Sequence, residues 1–174
     1  MSDSHDDAAA LNSSAIDPQL FREVLGNFAS GVVVVTAYDD GPVGMTAQSF
    51  MSLSLDPPLV MFCPAKSSSS WPRIRKAQHF AANILAEGQD AIGLQFARSG
   101  VDRFAGVEWE SGPSGAPLLE DVLAHIDCEI VAVHDGGDHD IVVGRVRHLR
   151  VVTDRQPLVF FRSAYETLTV RPPG

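Results

Sequence analysis

The chain has 174 residues, of which 45% are hydrophobic, and this length supports one substantial core, so we expect one domain. Thirteen Lys and Arg residues against 22 Asp and Glu residues give a formal net charge of -9, which argues against a nucleic-acid binder because such proteins cluster basic side chains. No apolar run is long enough to span a bilayer and the N-terminus lacks a basic region followed by an apolar one, so we expect a cytoplasmic protein that does not enter membranes.

The N-terminal region divides into a tail and a helix. Residues 1–15 are small, polar and acidic without an apolar period, which predicts a disordered acidic tail ahead of a domain over residues 16–174. Asp17 and Pro18 suit the cap and first turn of a helix. Apolar residues then repeat at helical spacing: Leu20, Phe21, Val24, Leu25 and Phe28. We expect this helix to end at Gly31.

The strongest strand pattern follows. A β-branched run at residues 32–36 and a DDGP turn lead into an alternating segment that ends at Leu55, and a buried run follows at residues 59–63. We therefore expect two strands joined by a turn and then a third strand. The even positions of the second strand hold Thr46, Gln48, Ser52 and Ser54. These side chains would share one face, because side chains alternate along a strand, and that face could line a polar pocket.

A run of four serines separates the third strand from the next helical pattern. Ser70 suits an N-cap and Pro72 a first-turn position, so the serines would lie at the start of a short helix. Backbone N–H groups, hydroxyls and Lys66 would then converge on an anion site suited to phosphate. The alternative is a flexible serine linker, which composition alone favours. The position between a buried strand and a capped helix favours the ligand site.

The middle of the chain contains a strand, a helix and a long loop. FAANIL at residues 80–85 reads as a strand, and residues 91–96 as part of an amphipathic helix. Residues 99–117 form a loop rich in glycine and proline, and long ordered loops are often functional. Within it, Arg103 and Phe104 either cover a pocket or pin the loop to the core.

The C-terminal third returns to a β pattern. Extended runs at residues 126–133 and 141–152 bracket a Gly-Gly turn, which is typical of a hairpin, and residues 158–161 read as the last strand. Many strands, few helices and no regular βαβ alternation favour a closed or partly closed antiparallel barrel with peripheral helices.

Familiar catalytic motifs are missing from the sequence. It lacks GxGxxG, the phosphate-loop motif, GxSxG and HExxH, and its two cysteines, Cys63 and Cys128, show neither CxxC nor zinc spacing. The polar cluster HDGGDHD at residues 134–140 could bind a metal, but a hairpin tip also collects Asp and Gly for turn geometry alone. We expect no metal site, and we interpret His139 as a donor that faces a pocket.

Five segments together resemble the flavin reductase family with an FMN-binding split barrel. They are GVVVVT, GMTAQSFMSLSLDPPLVMFC, the serine cluster after Lys66, FAANIL, and GDH at residues 137–139. The resemblance covers about residues 17–168. It implies a mainly β fold, a six-stranded antiparallel Greek-key split β-barrel with peripheral helices, and a homodimer. It also implies an NAD(P)H:flavin oxidoreductase that supplies diffusible reduced FMN or FAD to a partner monooxygenase.

The same resemblance implies the residues of the site. It places the flavin ring beside Met45, Thr46, Ala47 and Gln48, the ribityl chain along Ser52 and Ser54, Cys63 near the ring, and the phosphate at Ser67, Ser68 and Ser69. Phe80 and Phe104 resemble walls or a lid. His139 is similar to the family residue that meets the nicotinamide, with Tyr165 on the same side. For each hydroxyl the alternative is a satisfied strand side chain, and for His139 it is a turn residue bonded to its own backbone.

This chemistry explains why catalytic motifs are missing. Hydride passes directly from nicotinamide C4 to flavin N5, so the protein needs no nucleophile and must instead stack two rings in aligned geometry. We expect NADH to be preferred over NADPH, while the choice between FMN and FAD and the partner oxygenase stay open. Two other functions also stay open: a split-barrel oxidase that holds its flavin tightly and acts on its own substrate, and a flavin carrier that does not oxidise NADH.

Overall fold

The structure is a computed structural model that describes residues 16–168. The tail predicted over residues 1–15 lies outside the described residues. The helices are α1 (Pro18–Leu25), α2 (Trp71–Ala77) and α3 (Asp90–Ala97). The strands are β1 (Ser30–Gly31), β2 (Val33–Tyr38), β3 (Pro42–Ala47), β4 (Met51–Leu55), β5 (Pro58–Phe62), β6 (His79–Ile84), β7 (Trp109–Ser111), β8 (Pro117–Leu119), β9 (Ala124–Gly136), β10 (His139–Val151), β11 (Leu158–Phe161) and β12 (Ala164–Thr167). The predicted mainly β class is confirmed.

The central feature is an antiparallel sheet of seven strands in the order β3-β2-β6-β9-β10-β5-β4. This corrects the predicted six-stranded barrel, because β3 and β4 are the edges of the sheet and do not pair with each other. Residues 48–50 alone join these edges, and so short a link spans at most about 14 Å from Ala47 to Met51. The sheet is therefore curled, so that its edges approach at this corner, and it stays open between them.

Strand β2 explains why the sheet is covered on both faces. Val33 and Val35 belong to one core cluster, which Phe80 shares, whereas Val32 and Val34 belong to a second cluster. Alternate side chains of a strand point to opposite faces, so the β-branched run fills two cores at once. The first core lies against α2, and the second lies under α3 and the long loop.

Helix α1 begins as predicted but ends early. The Asp17 side chain accepts a hydrogen bond from the Gln19 backbone N–H at 2.9 Å and caps the first turn. The helix ends at Leu25, with Gly26 as its C-cap, and not at Gly31 as predicted. The Gly26 carbonyl instead accepts a hydrogen bond from the backbone of Arg162 at 3.0 Å. The helix is thereby attached to the turn between β11 and β12.

A buried histidine in β9 makes stability depend on pH. His125 is 4% exposed, its Nε2 lies 2.8 Å from the Leu119 carbonyl oxygen, and Arg150 Nε donates to its Nδ1 at 3.1 Å. This arrangement fits a neutral ring with the proton on Nε2. Desolvation lowers the pKa of His125 from its ordinary value of 6.5, and the nearby Arg150 charge adds to this effect.

We therefore expect the free energy of unfolding to fall as the pH falls below about 6.5, because the unfolded chain then binds a proton that the folded His125 resists. His125→Gln keeps an N–H for Leu119 and an acceptor for Arg150, so it should flatten this dependence. Urea unfolding at pH 7.5 and 5.5 measures the effect. His134→Gln is the control, since His134 is exposed. An equal loss of stability at low pH in wild type and His125→Gln would contradict the assignment.

Candidate functional site

The serine run forms a loop that rests on β3. Ser70 precedes α2 but caps it with no side-chain hydrogen bond. Its hydroxyl instead donates to the Gly44 carbonyl at 2.9 Å, and the Ser68 hydroxyl lies 3.9 Å from the Met45 sulfur. Ser67 and Ser69 are exposed. The structure thus brings the serine cluster beside Gly44 and Met45, and leaves the Ser67 and Ser69 side chains exposed.

The cation that contacts these serines through a hydrogen bond is Arg103, whereas the predicted cation, Lys66, is bonded to the β9–β10 hairpin. Lys66 Nζ pairs with Asp135 and donates to the Gly137 carbonyl at 2.6 Å, so its charge is paired with a carboxylate of the β9–β10 hairpin. The hydrogen bond with Asp135 raises the pKa of Lys66. Arg103 Nη1 donates to the Gly44 carbonyl at 2.8 Å and to the Ser70 hydroxyl. The sequence pointed to Arg103 only as a possible cover of a pocket.

The other side of the serine loop is bonded to the GDH turn. The Lys66 backbone N–H donates to the Asp138 carbonyl at 2.9 Å, and the Asp140 N–H donates to the Pro64 carbonyl at 3.0 Å. Ala65 and His139 form an isolated β-bridge between these segments. Three stretches that are far apart in sequence, in β3, the serine loop and the β9–β10 hairpin, therefore meet along one loop.

His139 is held at the start of β10 with its ring partly accessible. Its Nδ1 lies 2.7 Å from Asp138 Oδ1, and 44% of its side chain is exposed. The hydrogen bond to His139 lowers the pKa of Asp138. Farther along the strand, Trp71 Nε1 donates to Asp140 Oδ2 at 2.7 Å, which ties the hairpin to the first residue of α2. The contact with Asp138 holds the ring through Nδ1, and Nε2 makes no hydrogen bond with residues 16–168.

The predicted row of polar side chains between β3 and β4 is not one face of one strand. Thr46 lies in β3, where its hydroxyl donates to the Gly93 carbonyl at 2.6 Å, and Gln48 lies beyond the end of that strand. Ser52 pairs with Val60 and Ser54 with Leu59, because a bulge interrupts the register between the two serines. Leu59 and Val60 are consecutive residues of β5, so their side chains face opposite sides of the sheet. Ser52 and Ser54 therefore diverge, and Ser52 is the more exposed of the two.

The end of β5 is tied to the link between β3 and β4 by Ser49, which the sequence analysis missed. The Cys63 backbone N–H donates to the Ser49 hydroxyl at 2.8 Å, and that hydroxyl lies 3.3 Å from the Cys63 carbonyl oxygen. Cys63 is partly accessible, whereas Ala47, on the other side of the link, is buried. The Ser49 bond fixes the corner where the two edges of the sheet approach.

The three aromatic site predictions have different surroundings. Phe80 is 0% exposed and lies in the first core, so it offers no surface to a cofactor in this structure. Phe104 is partly buried, with its ring edge-on to Phe96 at 4.9 Å between centroids. Tyr165 packs on Phe160 at 5.4 Å, in the second core beside α3. These contacts place Tyr165 with α3 and the β11–β12 hairpin, whereas His139 contacts the serine loop.

The donor set of this region suits an organic anion better than a metal ion. Within residues 16–168, no group of three or more His, Cys, Asp or Glu side chains has an arrangement that could hold a metal ion. The serine hydroxyls and the Arg103 guanidinium are hydrogen-bond donors, and phosphate oxygens are acceptors.

No helix of residues 16–168 is long and apolar enough to cross a membrane.

Comparison with known proteins gives consistent matches. The family model for the flavin reductase like domain matches residues 25–169. The chain is 48% identical over 157 residues to the flavin-dependent monooxygenase reductase subunit HsaB of Rhodococcus jostii, covering 90% of this chain and 80% of the relative. It is 46% identical over 147 residues to the FMN reductase (NADH) SmoA of Agrobacterium fabrum, covering 83% of each. The solved structure of the NADH:FAD oxidoreductase SgcE6 of Streptomyces globisporus, in complex with NAD and FAD fragments, matches with a TM-score of 0.84 and 37% identity, covering 90% of this chain and 98% of that one.

Proposed function

We propose, from the premise that this chain belongs to the flavin reductase family, that it uses NADH to reduce FMN or FAD and releases the reduced flavin to a partner monooxygenase. The chain is an NAD(P)H:flavin oxidoreductase, as its relatives are. NADH is the donor named for two of the similar proteins, FMN for one and FAD for the other. The preference for NADH over NADPH is carried over from them as part of the proposal. We place the enzyme in the cytoplasm, where reduced nicotinamide cofactors are made.

The observation that carries this proposal is the bonding of the serine loop on both sides. One side is attached to Gly44 through Ser70, and the other is attached to the GDH turn through Lys66 and Pro64. A phosphate donor set and a partly exposed imidazole are therefore fixed to the same short loop. The fit to a flavin phosphate rests on Arg103, because no carboxylate of residues 16–168 forms a salt bridge with its guanidinium.

The residues of this chain would bind and orient two ring systems. When bound, the flavin supplies the hydride acceptor and the nicotinamide supplies the hydride. His139 would position the nicotinamide through its free Nε2, since Asp138 holds the other ring nitrogen. Hydride transfer needs no proton relay at this step, so precise alignment is the main contribution of the protein. The rigid bonding of the GDH turn to the loop serves that alignment.

The proposed flavin site keeps most of the residues that the resemblance implied. The ring would lie beside Met45, Thr46, Ala47 and Gln48, with Cys63 at the end of β5, and the phosphate would contact Ser67, Ser68 and Ser69. Ser52 stays in the proposal as the exposed hydroxyl of β4, and Phe104 as a side chain at the edge of the long loop. Tyr165 and Ser54 stay as weaker contributors, and Phe80 is left out because it is fully buried.

NADH oxidation with purified protein tests this function. Absorbance decay at 340 nm should be rapid only when free FMN or FAD is added, because the enzyme treats flavin as a substrate. Replacing NADH with NADPH tests the donor preference. Absence of decay with either flavin, despite demonstrable flavin binding, would overturn the reductase and leave a carrier. Turnover of an organic substrate by a yellow protein without free flavin would favour an oxidase.

We also propose that the domain over residues 16–174 works as a homodimer. The apolar side chains of α1, and Phe28 just beyond it, are largely exposed among residues 16–168: Leu20 is 53% exposed, Phe21 53%, Val24 58%, Leu25 54% and Phe28 82%. Edge strand β4 exposes Leu55 at 94%. Several large apolar side chains exposed on one short helix are typical of an interaction site. A second copy of this chain is the occupant to which we commit, as the family resemblance implied.

Val24→Glu should weaken this dimer by about 10-fold or more, because association would bury an unpaired charge. The variant should keep the fold of each protomer, since Val24 is 58% exposed. Size-exclusion chromatography with light scattering at several concentrations measures the effect. Gln19→Glu adds the same charge on the polar side of α1 and is the matched control. A wild-type monomer, or a Val24→Glu dimer as strong as the control, would overturn the assignment of this face.

A further inference from the structure

Asp140, the residue that follows His139, connects the GDH turn to two other elements. Its side chain is 13% exposed, and its Oδ2 accepts a hydrogen bond from Trp71 Nε1 at 2.7 Å. Its backbone N–H donates to the Pro64 carbonyl at 3.0 Å. Through these two bonds, α2 and the start of the serine loop both hold the residue next to His139.

Trp71 is a rigid anchor for this hydrogen bond. The residue is 3% exposed and belongs to the first core, where its ring lies edge-on to Phe62 with 6.1 Å between centroids. A buried indole N–H needs an acceptor, because an unpaired buried donor is costly. Trp71 Nε1 makes no other hydrogen bond with residues 16–168, so the Asp140 carboxylate meets this need. The position of Asp140 therefore depends on the packing of the first core.

Lys66 offsets a repulsion that the hairpin alone would contain. Asp140 of β10 lies directly opposite Asp135 of β9, and like charges in opposite positions destabilise a pair of strands. Lys66 Nζ pairs with Asp135 and lies 4.0 Å from Asp140 Oδ1. The contacts with Trp71 and Lys66 thus stabilise a carboxylate at a position that an isolated hairpin would disfavour.

We propose that Asp140, held by Trp71, is a positioning residue for hydride transfer and that it acts through His139. The proposal rests on the proposed function, because it takes His139 as the side chain that orients the nicotinamide. Adjacent side chains of a strand point to opposite faces, so the bond to Trp71 on one face fixes the backbone from which the His139 ring projects. Without this bond the turn could shift, and a displacement of about 1 Å can slow a reaction by about 100-fold.

A double-mutant cycle with His139 tests the proposal. Trp71→Phe removes the N–H and keeps an aromatic ring in the core, whereas Asp140→Ala removes the acceptor. Anaerobic stopped-flow measurements give the rate of flavin reduction at saturating NADH for each variant, alone and combined with His139→Ala. We expect each single variant to lower this rate by about 5- to 10-fold, with the dissociation constant of the flavin unchanged. Neither should lower the rate further in the His139→Ala background, because the side chain through which they act is then missing.

Two conservative variants separate positioning from a general loss of stability. Asp140→Asn keeps an oxygen that accepts from Trp71, so it should restore most of the rate that Asp140→Ala loses. Asp127→Asn is the control for a change at a buried carboxylate. Asp127 is 3% exposed, accepts from the Ser114 hydroxyl at 2.7 Å, and lies towards the end of β9 that is away from the GDH turn. This variant should reduce flavin at the wild-type rate. Trp71→Phe alone decides the test if Asp140→Ala does not fold.

The other possible results overturn the proposal in distinguishable ways. Equal slowing by Trp71→Phe with and without His139 would show that the indole N–H does not act through that histidine. Weakened flavin binding by Trp71→Phe would assign the bond to the serine loop. Wild-type rates in Trp71→Phe and Asp140→Ala would remove Asp140 from positioning. A His139→Ala variant as fast as wild type would instead contradict the proposed role of His139, on which this inference rests.

Discussion

His139→Ala should lower kcat/KM for NADH by about 10- to 100-fold while the dissociation constant of the flavin changes little, because misplacement of a reacting ring by about 1 Å can cost that much. The side chain lies on the GDH turn, which two backbone hydrogen bonds attach to the serine loop. Its Nδ1 is held by Asp138 at 2.7 Å. Truncation removes the ring that would orient the nicotinamide and leaves the proposed phosphate donors in place.

Stopped-flow reduction under anaerobic conditions separates the two parts of this prediction. The rate of flavin reduction at saturating NADH reports hydride transfer. The dependence of the observed rate on NADH concentration reports NADH binding. His134→Ala is the matched control, because His134 is an exposed histidine of the same hairpin. Asp138→Asn should have a smaller effect, since an asparagine oxygen can still accept from Nδ1. Reductive kinetics of His139→Ala equal to those of the control would remove His139 from the site.

The segments that meet at the proposed site could be identified from the sequence, but the cation beside the serines could not. The GDH turn and the serine run stand out in the sequence as short polar clusters between apolar runs. Which cation serves the serines depends on tertiary contacts. Lys66 lies next to them in sequence but pairs with Asp135, whereas Arg103 reaches Ser70 from a loop that has no periodic pattern. Sequence proximity therefore favoured Lys66, whereas the contacts in the structure favour Arg103 as the cation beside the serines.

Strands with a clear pattern of apolar residues were predictable from the sequence. The register between a strand and its neighbour was not. The alternation that predicted one polar face breaks at residues 48–50, where the chain passes from one edge of the sheet to the other, and again at the bulge between Ser52 and Ser54. A bulge changes the facing of every side chain beyond it, and sequence parity cannot show it. Strand β1 was missed because it has only two residues, and β12 was missed because its four residues are mostly exposed and lack the apolar run that identified β11.

Phe80 shows why a resemblance needs a test of burial before a side chain is assigned to a ligand. The strand FAANIL was correctly predicted, but its aromatic residue faces the first core and not a pocket. Its ring lies edge-on to Phe62, with 5.1 Å between centroids. It also fills the space that a side chain at position 144 would need, since a Cβ on Gly144 would lie 2.6 Å from the Phe80 ring.

Phe80→Ala should lower the free energy of unfolding by about 3–5 kcal/mol, because it removes a fully buried ring from a packed core. Urea unfolding monitored by circular dichroism measures the loss. Phe80→Leu keeps most of the apolar volume, so its loss should be smaller and its flavin dissociation constant should equal that of the wild type. A Phe80→Leu variant with native stability but weakened flavin binding would show that the ring does contact the ligand. The expected result would assign Phe80 to the first core, to which Cys128, its partner residue in β9, also belongs.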